Sequence, residues 1–401
     1  SGRLVKLKST ERIDSSVTAP DGTQILFNDT GKRLWLFDGK RFTHLATDIK
    51  HFLFSFDGKT IAYIDQEDTL FLSRNGKPTR VASQVSPLIR LSPDGKAVAY
   101  VREEGDSLKA FYYDGREHEI AREAVPAAIS AQGRYVYYYS SKGVLYVQKG
   151  SNTDLRQKLV DQVEHLCLNA SGDQILVSDG TYTYFSEKGG ERIKLSSQSL
   201  SLLPASGVAM SYDGFYGAQD LKGLYYQMRT EGGTTVYQLN RRLELGSLLK
   251  NILSPSLQPD GKTLIFSKNE NLYYMNLSNT DRGEIKLADR HRGFCVSRDG
   301  KHVLFLNEEG ETWFVTLGQS ARRITADTVE IREAASLENS FVFELEGVLY
   351  FTNGNRSSKV SGLSDDVKTV AGSGFWILAE CQNGEVFLST NGKSFTRFIR
   401  K

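Results

Sequence analysis

The sequence predicts an all-β chain: a β-propeller of about ten four-stranded antiparallel blades. Three observations predict it. A motif close to "LSPDGKAVAYV" (Leu91–Val101) recurs as "FSFDGKTIAYI" (Phe54–Ile64), "LQPDGKTLIFS" (Leu257–Ser267) and "VSRDGKHVLFL" (Val296–Leu306). Its glycine returns about every 40 residues, at Gly22, Gly58, Gly95, Gly133, Gly172, Gly207, Gly261 and Gly300, with Asn339 and a degenerate unit near Gly374 completing the series. No stretch carries sustained helical periodicity with caps, so the repeat is built of strands.

Unit three shows the elements in order. The first strand is "PLIRLS" (87–92), followed by the turn Pro93-Asp94-Gly95. The second is "KAVAYVR" (96–102), followed by the loop "EEGD". The third is "SLKAFYY" (107–113), then the turn Asp114-Gly115, and the fourth is "REHEIAR" (116–122). The runs are rich in Val, Ile, Tyr and Phe and end in Asp-Gly, Asn-Gly or Lys-Gly, which is hairpin punctuation. Four strands in about 40 residues are one blade of a propeller. A lone four-stranded sheet cannot bury both of its faces, whereas ringed neighbours can. The second strand therefore reads as continuously apolar, because both its faces are covered. The fourth strand, outermost, takes the charges ("REHEIAR", "ERIKLSS", "ARRITAD").

No linker separates any two units, so 1–401 reads as one continuous array in one large ring. The alternative is two five-bladed rings, 1–198 and 199–401. The N-terminal "GRLVKLKST" resembles the fourth strand of unit five, "ERIKLSS", and could close a ring on the last blade. Yet unit ten has a fourth strand of its own, "SFTRFIR". The sequence leaves the ring count and the closure open.

Fifty basic and 48 acidic residues are well mixed, for a net charge of +2. That balance excludes a nucleic-acid-binding or polybasic membrane surface. No apolar run approaches the roughly 20 residues of a spanning helix. Ser1-Gly2 reads as a tag-removal scar, which leaves room for a leader or membrane anchor upstream. Cys167, Cys295 and Cys381 fall in strands of separate units with no CxxC spacing, and read as small buried apolar residues.

The motifs "LSPDGKAVAYV" and "LQPDGKTLIFSKNENLYYMNL" resemble the WD40-like propeller repeat of TolB and its relatives, a repeat type also found in dipeptidyl peptidases and oligogalacturonate lyase. The resemblance is specific in units two, three, seven and eight. It is partial in units one, four, five and nine ("TAPDGT", "SAQGRY", "NASGDQ", "SLENSF"), and poor in six and ten. It covers nearly the whole chain. It implies the propeller fold and a bacterial extracytoplasmic setting, at the cell surface or in the periplasm. It implies no single activity, because binding proteins, peptidases and lyases share the repeat.

Candidate chemistry is sparse. No Gly-x-Ser-x-Gly elbow exists; Ser211 in "VAMSYDG" is the nearest, without flanking glycines. His51 and His165 hold matching places just before the first strands of units two and five, and His291 lies slightly earlier in unit eight. Those units are not neighbours, so convergence on a metal is not expected. The acidic runs "DQED" (Asp65–Asp68), "REEGD" (Arg102–Asp106) and "NEEGE" (Asn307–Glu311) read as turn formers. "STNGKSF" (Ser389–Phe395) is similar to, but one residue short of, the Asp-box hairpin of sialidase-type propellers, and reads as an Asn-Gly turn.

The clearest anomaly is unit six. Gly207 and Gly261 stand 54 residues apart, and much of the excess is "SYDGFYGAQDLKG" (Ser211–Gly223). Insertions in repeat proteins map to loops, often on the binding face. This one offers Tyr212, Asp213, Phe215, Tyr216 and Asp220 as candidate binding residues. First-strand polar residues (Arg90, Glu164, Arg332, Glu333) are too few to form a pocket by sequence alone.

The expectation is a non-enzymatic, monomeric propeller that recognises a protein, peptide or glycan through its loops, with no cofactor, metal or nucleic acid. The alternative is a carbohydrate-active lyase or hydrolase with acidic, His or Arg side chains, and Ca²⁺ or Mn²⁺, at the channel mouth.

Overall fold

The computed structural model describes residues 13–19, 24–38, 41–105, 107–203, 221–258, 261–327, 330–336, 339–346, 348–363, 366–372 and 377–399. Among them, regular structure is all β-strand apart from two short 3₁₀ turns, Ala131–Gly133 and Thr280–Arg282. Within each sheet, strands pair antiparallel with their chain neighbours, giving eight sheets of four strands and one of seven. Each four-stranded sheet coincides with one unit of the repeat. The seven-stranded sheet holds units six and seven, joined through the single strand Leu245–Leu257. The first part of that strand pairs with Gly233–Leu239 and the rest with Thr263–Lys268.

Burial follows the place of each strand in its sheet. Second strands such as Thr60–Asp65 and Gln174–Ser178 are buried almost throughout. Fourth strands such as Lys77–Ala82 and Ser357–Lys359 are mostly exposed. The described residues form nine apolar clusters, and each joins two consecutive units. Units five and six, for example, share Cys167, Leu176 and Phe185 with Leu200, Tyr226 and Leu239. First strands of successive units approach each other, as Ile13–Thr18 with Ile49–Phe54 and His165–Leu168 with Ser201–Leu202. Sheets that meet at their first strands and expose their fourth are packed in the propeller manner.

Two regularities reinforce each sheet. At one position of the second and third strands, directly opposed aromatic rings stack: Tyr63–Phe71, Tyr100–Phe111, Tyr138–Tyr146, Phe266–Tyr273 and Phe343–Tyr350. Their centroids are 5.1 to 5.9 Å apart. In the fourth strand, the pairing skips one residue in unit after unit: Leu45, Val81, Ile120, Leu159, Leu195, Leu287 and Ile324. These β-bulges place an apolar side chain of an otherwise charged strand against the inter-unit core.

The repeated turn is a hydrogen-bonded device. In unit three, the Ser92 hydroxyl donates to Asp94 Oδ1 (2.8 Å) and accepts the Ala97 amide (2.9 Å). Ser55–Asp57 and Ser297–Asp299 repeat the arrangement, each at 2.6 Å. The same turns clip neighbouring units together. The Asp57 amide donates to Pro93 O (3.0 Å), and the Gln132 amide to Asp94 Oδ1 (3.2 Å).

Some boundaries differ from expectation. In unit three the second strand runs on to Glu104, paired with Ser107, so Glu103 and Glu104 of the "EEGD" loop are strand. The first strand there is only Arg90–Leu91. His51 and His165 lie inside their first strands, Ile49–Phe54 and His165–Leu168, because strand pairing extends beyond the apolar run. The last sheet takes its fourth strand, Thr396–Ile399, from its own unit, and "GRLVKLKST" lies outside the described residues. All three cysteines are buried, and burial pushes the Cys167 thiol up to about 12.

Candidate functional site

The unit-six insertion, with Tyr212, Asp213, Phe215, Tyr216 and Asp220, lies outside the described residues, as does Ser211. Its exit is firmly held. Leu221 is fully buried, and its amide donates to Gln174 Oε1 (2.7 Å) in unit five. Lys222 pairs with Glu187 (2.8 Å). Between units five and six, a cavity of about 270 Å³ lies among Glu164, His165, Cys167, Leu176 and Ser201. Glu164 accepts a hydrogen bond from the Ser199 hydroxyl, which also contacts Ser178 Oγ at 2.6 Å.

The histidines are used one at a time. His44 packs on Trp35, His118 stacks on Tyr112, and His302 meets Thr316 Oγ1 at 3.1 Å. His165 stands beside Glu164 (4.0 Å). The His291 amide donates to Glu270 O (2.9 Å), and its Nε2 meets Ser267 Oγ at 2.7 Å. Burial, and secondarily the Arg90 charge, lowers the pKa of His51. Arg90 is held by Nε to Ala127 O (3.1 Å) and by Nη1 to Ile89 O (3.0 Å). Its charge also reaches Tyr139, whose hydroxyl is pushed up by burial. Of the first-strand polar residues, Arg90 thus has His51 and Tyr139 within electrostatic reach. Glu164 stands apart in unit five, and the side chains of Arg332 and Glu333 lie outside the description. No group of three or more His, Cys, Asp or Glu among the described residues could hold a metal ion.

The acidic runs lie at turns. Asp65 accepts the Glu67 and Thr69 amides (3.0 and 2.8 Å), closing a turn. Glu104 pairs with Lys109 (2.5 Å), which holds its carboxyl below the usual range. Asn391 accepts the Lys393 and Ser394 amides (2.9 and 3.0 Å), so "STNGKSF" is a turn between the third and fourth strands. Asn307 Oδ1 accepts the Glu311 amide (2.8 Å), so "NEEGE" is a turn as well, and it also borders a groove.

That groove, about 580 Å³, lies between units seven and eight. Its apolar side is Leu287, Phe305 and Trp313, and its exposed rim is Asp289, Arg290, Glu308 and Glu309. Its size falls in the range of ligand sites, and its lining is mixed, five apolar residues beside six polar or charged ones. The rim is ordered by its own bonds. Arg290 Nη1 donates to both Glu308 oxygens (2.8 and 3.0 Å), bridging the two units. The Arg290 amide donates to Asn271 Oδ1 (3.1 Å). The Trp313 indole donates to Glu311 Oε2 (3.1 Å), and Arg323 Nη1 to Glu311 Oε1 (2.8 Å). The Arg323 bond holds the Glu311 carboxyl below its ordinary value, so Glu311 stays an acceptor and fixes the indole plane. The rim joins the connection between units ("ADRHRG") to the loop after a second strand ("NEEGE"), two segments that share one end of the sheets. Sequence reading passed over the groove. Trp313 occupies the third-strand aromatic position found in every unit, so only the charged loops on either side of the junction signalled it.

No family model matches the chain, and no curated protein matches it. Solved structures are similar at low identity. A eukaryotic initiation factor is 11% identical over 80% of this chain and 90% of that one, with a TM-score of 0.43. TolB from Acinetobacter baumannii is 15% identical over 67% of this chain and 61% of its own, with a TM-score of 0.30. Oligogalacturonate lyase from Vibrio parahaemolyticus is 11% identical over 75% and 87%, with a TM-score of 0.31. A propeller-like all-β fold fits this chain, and these similarities carry no activity or ligand over to it.

Proposed function

We propose that the chain is a non-enzymatic propeller scaffold, ten blades in one continuous ring, that recognises a polypeptide or glycan through its loops. The groove beside Trp313 carries the reading. It combines a fixed aromatic plane, an apolar side and an ordered polar rim, placed where connecting loops of two rigid sheets meet. Loops on a stiff frame recognise by many small contacts, and an aromatic anchor supplies most of the affinity. An extracytoplasmic setting belongs to the same proposal.

The lyase or hydrolase alternative draws on Arg90, His51 and Tyr139, a guanidinium, an uncharged imidazole and a phenol within electrostatic reach on successive units. A thermal-shift screen separates the two. Peptides, neutral and acidic oligosaccharides, Ca²⁺ and Mn²⁺ are added in turn to the wild type, Trp313→Leu and Arg90→Ala. The scaffold reading expects a shift with a peptide or glycan that is lost in Trp313→Leu, with the ligand recovered intact. A metal-dependent shift lost in Arg90→Ala, with the oligosaccharide cleaved, would replace it by the enzyme reading.

A further inference from the structure

The charges around the groove do not cancel. Arg290 is paired with Glu308, Lys286 with Asp289, and Arg323 with Glu311. Two carboxylates remain. Glu309 is on the rim, and Glu270 is in the hairpin turn just before the rim residue Asn271. Neither forms an ion pair with a described residue, and both act electrostatically on Arg290. Glu270 has φ +66°, in the left-handed region that disfavours a side chain, after Asn269 at φ +48°. A carboxylate is thus kept in a turn where glycine would cost less.

On the understanding that the groove is the binding site proposed above, we infer that its occupant is a cationic segment of a partner polypeptide. A lysine or arginine would lay its aliphatic stem along Leu287 and Trp313, with its charged head near Glu270 and Glu309. Three features fit that chemistry. The apolar side accommodates a methylene stem, as long basic side chains prefer. The Trp313 ring attracts a cation near its face. The two carboxylates outside any direct ion pair complement its charge and would repel an acidic ligand.

The test uses the whole chain and calorimetric titration with three capped heptapeptides of leucine and glycine. They differ only in a central Lys, norleucine or Glu. Maltopentaose, a neutral oligosaccharide, is run beside them. The Lys peptide is expected to bind at least about five-fold tighter than the norleucine peptide, and the Glu peptide not to bind. Glu270→Gln with Glu309→Gln, both at exposed positions, should remove that preference with the melting temperature unchanged. Added salt should weaken the Lys peptide alone. Trp313→Leu should weaken the Lys and norleucine peptides together. The inference is overturned if the Lys peptide shows no saturable binding below about 1 mM, or if the double variant keeps the preference. Trp313-dependent binding of maltopentaose or norleucine peptide without a lysine preference leaves the groove as the site and removes only its cationic partner. A concentration-dependent dimer lost in Trp313→Leu would assign the groove to a second copy of the chain. Indifference of every ligand to Trp313→Leu removes the groove itself.

Discussion

Gly95 meets two demands at once. Its φ of +63° is left-handed, and a Cβ there would stand 2.2 Å from Thr60 Oγ1 of the preceding unit. Gly76 has a similar φ of +73° but open space around it. In urea titrations Gly76→Ala should therefore lose only the left-handed penalty, about 1–2 kcal/mol, and Gly95→Ala clearly more. Ser92 is fully buried and binds both Asp94 and the Ala97 amide. Ser92→Ala strands that amide and should cost about 1–3 kcal/mol by the same measurement. His51 and His291 both lie below the ordinary 6.5, chiefly through burial. A base with a lowered folded pKa binds protons more weakly when folded. Its stability is full above pH 6.5 and is lost as the pH falls towards the folded pKa. Unfolding free energy measured across that window should slope downward on acidification, less so in His51→Gln. The turn was legible in the sequence because its Ser, Asp and Gly recur in fixed spacing. The bond from Asp57 to Pro93 was not, because it exists only once two units are packed.

Among the elements, second and third strands announce themselves by composition, and the structure places them where the apolar runs stand. The fourth strands were read as charged outer edges, which their exposure bears out. Their bulged residues escaped notice, since one leucine in "RQKLV" or "ERIKLS" weighs little against the charges around it. Leu159, fully buried, shows what that residue does. Leu159→Ala should cost about 2–5 kcal/mol by cavity formation, and Lys158→Ala no more than about 0.5. The groove was illegible for a related reason. Asp289 and Glu309 belong to different units, and only the packing of one sheet on the next brings them to one opening. The insertion of unit six was conspicuous in the sequence, and the structure describes its anchored exit and not its body.

For the whole molecule, the cluster between units five and six is built like the other eight, with Phe185, Leu200 and Tyr226 almost wholly buried. Nearest-neighbour coupling of this kind makes an array unfold as one body when every interface is strong. Scanning calorimetry is expected to give one transition whose calorimetric and van't Hoff enthalpies agree. Two resolved transitions, with residues 1–198 refolding alone, would instead mark two separate rings. With no linker between units, the sequence led us to expect one continuous array. How the ends of that array are arranged depends on contacts between distant segments that no local pattern encodes.

The strand Leu245–Leu257 has a mechanical consequence. Elsewhere a turn or loop between sheets lets one sheet peel while its neighbour holds. Here Ile252 pairs in one ladder and its neighbour Leu253 in the next, with left-handed residues at Asn251 and Ser254 but no loop between, so tension reaching either ladder should load both together. Stretched from its ends, the chain should lengthen in steps of about 140 Å as single units give way. The span from Ser201 to Ala288 should yield in one step of roughly twice that length. That pair would form the stiffest sector of the molecule, and the Trp313 groove opens along its border.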